Sequence, residues 1–158
     1  MNEAAMRHIG PQPDAISLDE FRSRQARLTS QLRPDDLLIL CAAEEATHSN
    51  DVHYPYRTMS DMLYFAGWVE PEAVFTLRCV DGSWISSLFV QPKDTLKEIW
   101  EGRRPGIEGA LADWAIDEAH SIDDMHEVLS SYVDKSHRIL MRTGVRSAVD
   151  DLIRHAID

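Results

Sequence analysis

The sequence has little of what marks several large classes of protein. Only two of its 158 residues are cysteines, Cys41 and Cys79, which is too few for the disulfide framework of a small secreted domain. Both lie in apolar runs, which favours two buried thiols, because an unpaired cysteine packs as a small hydrophobic residue. No apolar run approaches the ~18 residues of a membrane span. The N-terminus shows no signal peptide. The expected location is therefore the cytoplasm.

Positive charge is also scarce. The chain carries 16 lysines and arginines against 27 aspartates and glutamates, a net charge of −11 at pH 7. Such a surface repels the phosphates of nucleic acid, so neither a nucleic acid nor a membrane is an expected partner. The 44% apolar content is that of a folded protein, and the length suits one domain with a sizeable core.

The common catalytic motifs are absent from the sequence as well. It contains no Gly-x-Ser-x-Gly, no Gly-x-Gly-x-x-Gly, no phosphate-binding Walker loop and no His-Glu-x-x-His. His120, Asp123 and His126 are close in sequence, but a predicted helix begins between them, so we interpret them as solvated surface and expect no metal or cofactor on this chain. Adjacent acidic pairs are interpreted as turn or first-turn helix residues: Asp35-Asp36, Asp123-Asp124 and Asp150-Asp151.

Hydrophobic periodicity predicts an α/β domain, a mixed sheet of five or six strands with helices on both faces, over residues 16–158 after a loose leader at 1–15. Asp81-Gly82 predicts a hairpin turn, since both central positions of such a turn favour positive φ. Helices are predicted from Leu18 to before Pro34 and after the capping pairs Thr95/Glu98, Ser121/Asp124 and Ser147/Asp150. Strands are predicted at 37–42, 62–66, 74–80, 84–90 and 138–141.

The most informative segment runs from Asp51 to Asp61, Asp-Val-His-Tyr-Pro-Tyr-Arg-Thr-Met-Ser-Asp. It has neither helical nor strand periodicity, and ordering it costs roughly 1–2 kcal/mol for each fixed backbone residue. Pro55 restricts Tyr54 towards extended geometry. The two tyrosines can bury apolar area, and Arg57 can pair with either terminal aspartate. The segment is therefore a structural corner or the wall of a site.

Two later segments make the pattern specific: Tyr64-Phe-Ala-Gly-Trp-Val-Glu-Pro-Glu-Ala73 and Glu98-Ile-Trp-Glu-Gly-Arg-Arg104. In this order, the three segments resemble the N-terminal domain of Xaa-Pro aminopeptidase, also called aminopeptidase P, in the creatinase/prolidase-like superfamily. That family reads Asn-Ser-Asp-x-x-Tyr-Pro-Tyr-Arg-x-x-Ser-Asp, then Tyr-Leu-Thr-Gly-Phe-x-Glu-Pro-Glu-Ala, then Glu-Ile-Trp-x-Gly-Arg-Arg. Two departures are Ser49-Asn50, which inverts the usual order, and Ala66 in place of threonine.

The resemblance implies substrate-binding roles for Asp51 and Trp100. In the family, the matching aspartate lies near the substrate cleft and the matching tryptophan reaches a neighbouring subunit's active site. The residue chemistry alone leaves other roles open: Asp51 as a partner of Arg57 or a loop cap, and Trp100 as a core residue sharing a helical face with Leu96 and Ile99. Other matching residues are interpreted as a structural polar network: Arg57, Asp61, Glu70, Glu72, Arg103 and Arg104.

The resemblance also implies a second domain. The family's catalytic centre is a dinuclear metal site, usually manganese, held by two aspartates, one histidine and two glutamates in a C-terminal pita-bread domain, none of whose motifs occurs in this sequence. The implied partners are that C-terminal catalytic domain, further copies in a homo-oligomer, and peptide substrates with proline in the second position. This polypeptide alone is expected to have no catalytic residues and to hydrolyse no Xaa-Pro peptide.

Two alternatives remain open. The same domain could belong to a prolidase or a creatinase, although Tyr-Pro-Tyr-Arg and Glu-Ile-Trp-x-Gly-Arg-Arg favour aminopeptidase P. The chain could instead be a free-standing binding or assembly module that uses its aromatic loop as an interaction surface.

Overall fold

The computed structural model describes residues 16–43, 47–48, 52–53 and 58–158. Asp51 and residues 54–57 of the aromatic segment therefore lie outside the described residues. The described helices are α1 (Leu18–Thr29), α2 (Ser60–Ala66), α3 (Thr95–Glu101), α4 (Gly106–Asp113), α5 (Met125–Asp134) and α6 (Ser147–Ile157). The described strands are β1 (Asp36–Cys41), β2 (Thr47–His48), β3 (Val52–His53), β4 (Val74–Val80), β5 (Ser83–Val90), β6 (Glu118–Ser121) and β7 (Arg138–Met141).

Five of the strands form one mixed sheet in the order β6-β5-β4-β1-β7. The three central strands are antiparallel, because β4 pairs in that sense with both β1 and β5. The two edge strands run parallel to their neighbours, β7 along β1 and β6 along β5. The short strands β2 and β3 pair only with each other. The predicted mixed five- or six-stranded sheet is confirmed.

Strand β1 is buried on both of its faces. Leu38 and Leu40 pack into one apolar cluster with residues of α2 and α4. Leu37, Ile39 and Cys41 point to the opposite face and pack into a second cluster with α5 and α6. A strand covered on both sides reads as a continuous apolar run rather than an alternating one, as β1 does. The predicted helices on both faces are thus present.

The hairpin between β4 and β5 follows its turn residues. Asp81 and Gly82 both have positive φ, 49° and 82°, and Val80 pairs with Ser83 across the turn. Asp-Gly suits this geometry because a two-residue turn with two positive φ values matches the twist of the flanking strands. The predicted hairpin is confirmed.

The predicted strand at 62–66 is wrong, because these residues belong to helix α2. Met62 and Ala66, four residues apart, are fully buried, whereas Leu63 and Tyr64 between them are exposed. The helix stops at Gly67, whose left-handed backbone (φ 68°) lets its N–H donate to the carbonyls of Leu63 and Met62. A short run of aromatic and apolar residues predicts strand and helix almost equally well, and packing decides.

Two of the predicted helix starts are displaced by one residue, and the described elements α4, β2, β3, β6 and a 3-10 turn are not predicted by the sequence. Asp94 rather than Thr95 caps α3, and Arg146 occupies the N-cap position of α6 without a side-chain cap. Ser121 caps a 3-10 turn, Ile122–Asp124, that precedes α5. The helix α4 opens without a side-chain cap and the strand β6 contains no buried residue, so neither has a strong sequence signal.

An ion pair joins the edge strand β7 to the central strand β1. The Asp36 carboxylate accepts two hydrogen bonds from Arg138, at 2.7 and 2.6 Å, and a third from the backbone N–H of Arg33. The hydrogen bond from Arg138 is the main reason why the pKa of Asp36 falls from 3.8 to about 2. The side chain of Asp36 is completely covered and the residue begins β1, so its interpretation as a turn residue is wrong.

We predict that this ion pair makes the domain sensitive to strong acid. A carboxylate whose pKa is lower in the folded state stabilises the fold above its unfolded pKa and loses that effect as the pH falls towards the folded pKa. Between pH 4 and about 2, the free energy of unfolding should fall more steeply in the unmodified chain than in Asp36→Asn. Urea unfolding at a series of pH values measures this. Asp35→Asn, which removes an exposed neighbour, is the control; equal slopes for all three proteins would contradict the prediction.

We predict that Gly67→Ala destabilises the domain more than Gly82→Ala does. Both glycines have positive φ, which costs an alanine roughly 1–2 kcal/mol. At Gly67 a new Cβ would also lie 2.7 Å from the Phe21 ring, whereas nothing lies within 4 Å at Gly82. Thermal melts of the two variants compare the losses of stability. Equal losses would show that the Phe21 ring can move away from the new Cβ without a cost.

Candidate functional site

Helix α3 presents three large apolar side chains to solvent. Leu96, Ile99 and Trp100 are 74%, 71% and 89% exposed, and no residue of the helix is buried. We refer to these three side chains as the α3 surface. Isolated exposed apolar residues are ordinary, but a group of them on one short helix marks an interaction site.

The exposure of Trp100 decides between its two proposed roles within this domain. The core-packing alternative required Trp100, Leu96 and Ile99 to face the interior, and the structure places all three outside. The substrate-cleft role required at least partial exposure in the isolated domain, which the structure satisfies. Its contact with a substrate or a neighbouring subunit stays a prediction, as does that of Asp51.

Polar contacts hold α3 against the rest of the domain. Asp94 caps the helix by accepting hydrogen bonds from the backbone N–H groups of Leu96 and Lys97. At the other end, the backbone N–H of Arg104 donates to the Glu98 carboxylate at 2.7 Å. The Arg104 guanidinium lies 2.6 Å from the carboxylate of Glu101, the last residue of the helix.

The polar residues of the family motifs do not form one network. Arg104 contacts α3, whereas Asp61 and Glu72 lie near the start of α6. Asp61 lies 3.7 Å from Arg142, and Glu72 lies 2.7 Å from Arg146. Arg103 is exposed. The contacts described for the expected network therefore fall into two groups, one at α3 and one before α6, with Arg57 outside the described residues.

The three residues weighed as metal ligands lie on three different elements, and the interpretation as solvated surface is wrong for His120, which is half-buried. His120 belongs to β6 and its Nε2 lies 3.3 Å from the Tyr132 hydroxyl, whereas His126 is exposed on α5. Asp123 lies in the 3-10 turn between them. Among the described residues, no group of three or more histidine, cysteine, aspartate or glutamate side chains is placed to hold a metal ion.

A half-buried polar cluster around Glu118 was not predicted from the sequence. Its carboxylate accepts hydrogen bonds from Ser87 at 2.9 Å, from Tyr132 at 3.2 Å and from Arg78 at 3.2 Å. Burial alone would raise the pKa of Glu118, but the hydrogen bond from Ser87 and the charge of Arg78 outweigh it and lower the pKa. These residues come from four distant positions in the chain, so no local motif could reveal them. The cluster fastens β6 to β4, β5 and α5.

The two cysteines are free, Cys41 buried and Cys79 half-buried, and Cys41 does not suit a nucleophile. Burial raises the pKa of the Cys41 thiol to about 12, so the reactive thiolate is suppressed at neutral pH.

Among the described residues, no helix combines the length and the apolar composition that a membrane span requires.

The fold and the exposed aromatic helix together define a class: a mixed α/β domain with one short helix whose apolar residues face solvent. A family model narrows the class, since the one described as "Aminopeptidase P, N-terminal domain" matches residues 21–141. This match covers well over half of the chain, and the chain belongs to that family.

Known relatives and solved structures agree with this assignment. The Xaa-Pro aminopeptidase of Escherichia coli (strain K12) is 33% identical over 144 residues, which cover 90% of this chain and 33% of the relative. Intermediate cleaving peptidase 55 of Saccharomyces cerevisiae is 33% identical over 124 residues, covering 77% of this chain and 24% of the relative.

The structure of "Zn substituted E. coli Aminopeptidase P in complex with product" aligns with a TM-score of 0.83 at 34% identity, over 89% of this chain and 32% of that chain. "Proline aminopeptidase P II from Yersinia pestis" aligns with a TM-score of 0.82, also at 34% identity, over 89% of this chain and 33% of that chain. This chain therefore spans only part of the length of these relatives, from 24% to 33%.

We predict that Trp100→Ala changes the stability of this chain very little. The side chain is almost fully exposed, so its removal leaves no cavity, and surface substitutions usually stay within about 0.5 kcal/mol. Trp68→Ala is the matched comparison, because Trp68 is buried and its loss should cost roughly 3–5 kcal/mol. Thermal melts compare the two, and a large drop for Trp100→Ala would place that ring in a packed environment.

Proposed function

We propose that this chain is the N-terminal, non-catalytic domain of a Xaa-Pro aminopeptidase, which releases an N-terminal residue that precedes proline. The observation that carries the proposal is the α3 surface: a family-matched tryptophan, Trp100, stands out from a helix with no buried residue. An aromatic ring of this size typically buries 150–250 Å² when it binds, and leaving it in water has no benefit for an isolated domain.

The domain would shape a cleft rather than perform chemistry. Trp100 would supply one apolar wall, against which a flat, apolar group such as a proline ring can pack. Asp51 would supply a carboxylate at the same cleft, which rests on the family motif alone. Tryptophan is among the residues that most often dominate binding energy, because its rigid ring excludes water from neighbouring polar contacts.

The metal centre would lie in the C-terminal domain of the same protein, with manganese as the proposed ion. The residues described here do not fit that role, since they include no group of three or more suitable ligands. In metallopeptidases such a centre activates a water molecule for attack on the peptide carbonyl. This domain would contribute binding and orientation only, in a protein that we propose to be cytoplasmic.

A second copy of the protein would cover the α3 surface. Leu96 and Ile99 are exposed beside Trp100, so the apolar area exceeds what one peptide side chain needs. Contact with a neighbouring subunit would bury the two aliphatic side chains and place Trp100 at that subunit's cleft. The proposed protein is therefore a homo-oligomer.

The product of the complete gene tests this proposal. We predict that it hydrolyses a Xaa-Pro tripeptide in the presence of Mn²⁺. Trp100→Ala should lower kcat/KM about tenfold or more, since tenfold corresponds to only ~1.4 kcal/mol of lost binding in the transition state. Asp51→Asn should also lower kcat/KM. Val80→Ala, which trims an exposed side chain beside the hairpin, is the control and should keep full activity.

Two results would contradict the proposal. One is a purified complete product that lacks Xaa-Pro hydrolysis with every divalent metal tried, together with no copurifying metallopeptidase, which would favour a free-standing assembly module. The other is an active product in which Trp100→Ala matches Val80→Ala. The second result would leave the peptidase assignment standing and remove the role of Trp100.

A further inference from the structure

The orientation of α3 depends on contacts made by Arg104, a residue that follows the helix. Its guanidinium donates to the backbone carbonyl of Pro92, in the chain before the helix, at 3.4 Å and to the carboxylate of Glu101, the last helical residue, at 2.6 Å. Its backbone N–H donates to Glu98 at 2.7 Å. Arg104 thus contacts the chain before α3, the middle of the helix and its last residue.

Arg104 itself is fixed in the domain. It is only 9% exposed, and Pro105 and Gly106 after it are also buried. Gly106 has a positive φ of 70°, and a Cβ there would lie 2.8 Å from the aliphatic chain of Lys93, so the chain before α3 and the chain before α4 are in close contact. Arg104 is therefore held in place by the packed chain around it.

The helix has little else to keep it in place. It has seven residues, and a helix this short is marginal without tertiary contacts. Because none of its residues is buried, hydrophobic packing does not supply those contacts. Apart from the Asp94 cap, the side-chain contacts described for α3 are the ones to Arg104 and a long ion pair of 3.9 Å between Lys93 and Glu98.

We infer that Arg104 and Glu98 are positioning residues for Trp100: they contact α3 rather than substrate, and they hold the tryptophan at a fixed place on the domain surface. Why the position of Trp100 matters rests on the proposed function, in which this residue contacts substrate or a neighbouring subunit. A tryptophan carried on an ordered helix loses less conformational entropy when it binds than one on a mobile segment, so fixing α3 raises affinity without any new contact.

The first test measures the order of Trp100 in the 158-residue chain itself. In Arg104→Met, the apolar stem is retained and the charge is removed, and the Glu101 carboxylate that loses its partner is exposed and remains solvated. We predict a melting temperature close to that of the unmodified chain, with a clear fall in the heteronuclear NOE of the Trp100 indole N–H. The indole signals of Trp68, Trp84 and Trp114 should not change.

Matched variants distinguish a specific effect on the order of Trp100 from a general increase in the mobility of the domain. Arg103→Met removes the adjacent, exposed arginine and should leave the Trp100 NOE unchanged. Glu98→Gln keeps an oxygen that can accept the Arg104 N–H and should retain the order, whereas Glu98→Ala should lose it. An unchanged Trp100 NOE in both Arg104→Met and Glu98→Ala would overturn the inference, as would an equal fall at all four tryptophans.

The second test uses the complete gene product. If Arg104 acts through Trp100, Arg104→Met should lower kcat/KM by a factor no larger than Trp100→Ala does, and the double variant should be no worse than Trp100→Ala alone. Additive losses would mean that Arg104 acts elsewhere and would contradict the inference. Failure of Trp100→Ala to affect kcat/KM would instead contradict the proposed role of Trp100, while the NMR result would still decide whether Arg104 orders it.

Discussion

The fold depends on the burial of β1 on both faces. Its apolar residues alternate between the two clusters of the core, so each helical layer packs against the same strand. Such a strand has no solvated face, and both of its edges must also be paired. One edge is covered by β4 and the other by β7. The ion pair between Asp36 and Arg138 lies where β7 begins, at the position where these two residues face each other in the register of β1 and β7.

Away from this core, polar contacts rather than apolar burial decide where elements lie. The Glu118 cluster fastens β6, an edge strand without a buried residue, and Arg104 fastens α3, a helix without one. A contact of this kind contributes modest stability, yet its geometry is specific because charged hydrogen bonds are short and directional. Apolar burial around the sheet thus supplies most of the free energy of folding, and the polar contacts fix the position of surface elements that a partner can contact.

Much of the fold follows from the sequence, and the exceptions share a cause. The β1 run, the Asp81-Gly82 turn and the helix faces around Leu129 and Leu152 are local patterns, and the structure contains them. The α2 segment was assigned to a strand because five apolar residues carry no clear period. The role of Asp36 depends on Arg138, 102 residues away, and that of Glu118 on Tyr132, Ser87 and Arg78, which are 14, 31 and 40 residues away, and no local pattern can show such partners.

The family motif around Trp100 combines two kinds of residue with opposite exposure. Glu98 and Arg104 are largely covered and bind each other across the end of α3, whereas Ile99 and Trp100 between them face solvent. Helical spacing alone suggested that Trp100 shares a core face with Leu96 and Ile99, and it does share their face. That face points outward because the polar residues of the same motif occupy the inner side. The motif is therefore best understood as one unit, in which the charged residues determine the direction in which the aromatic residue points.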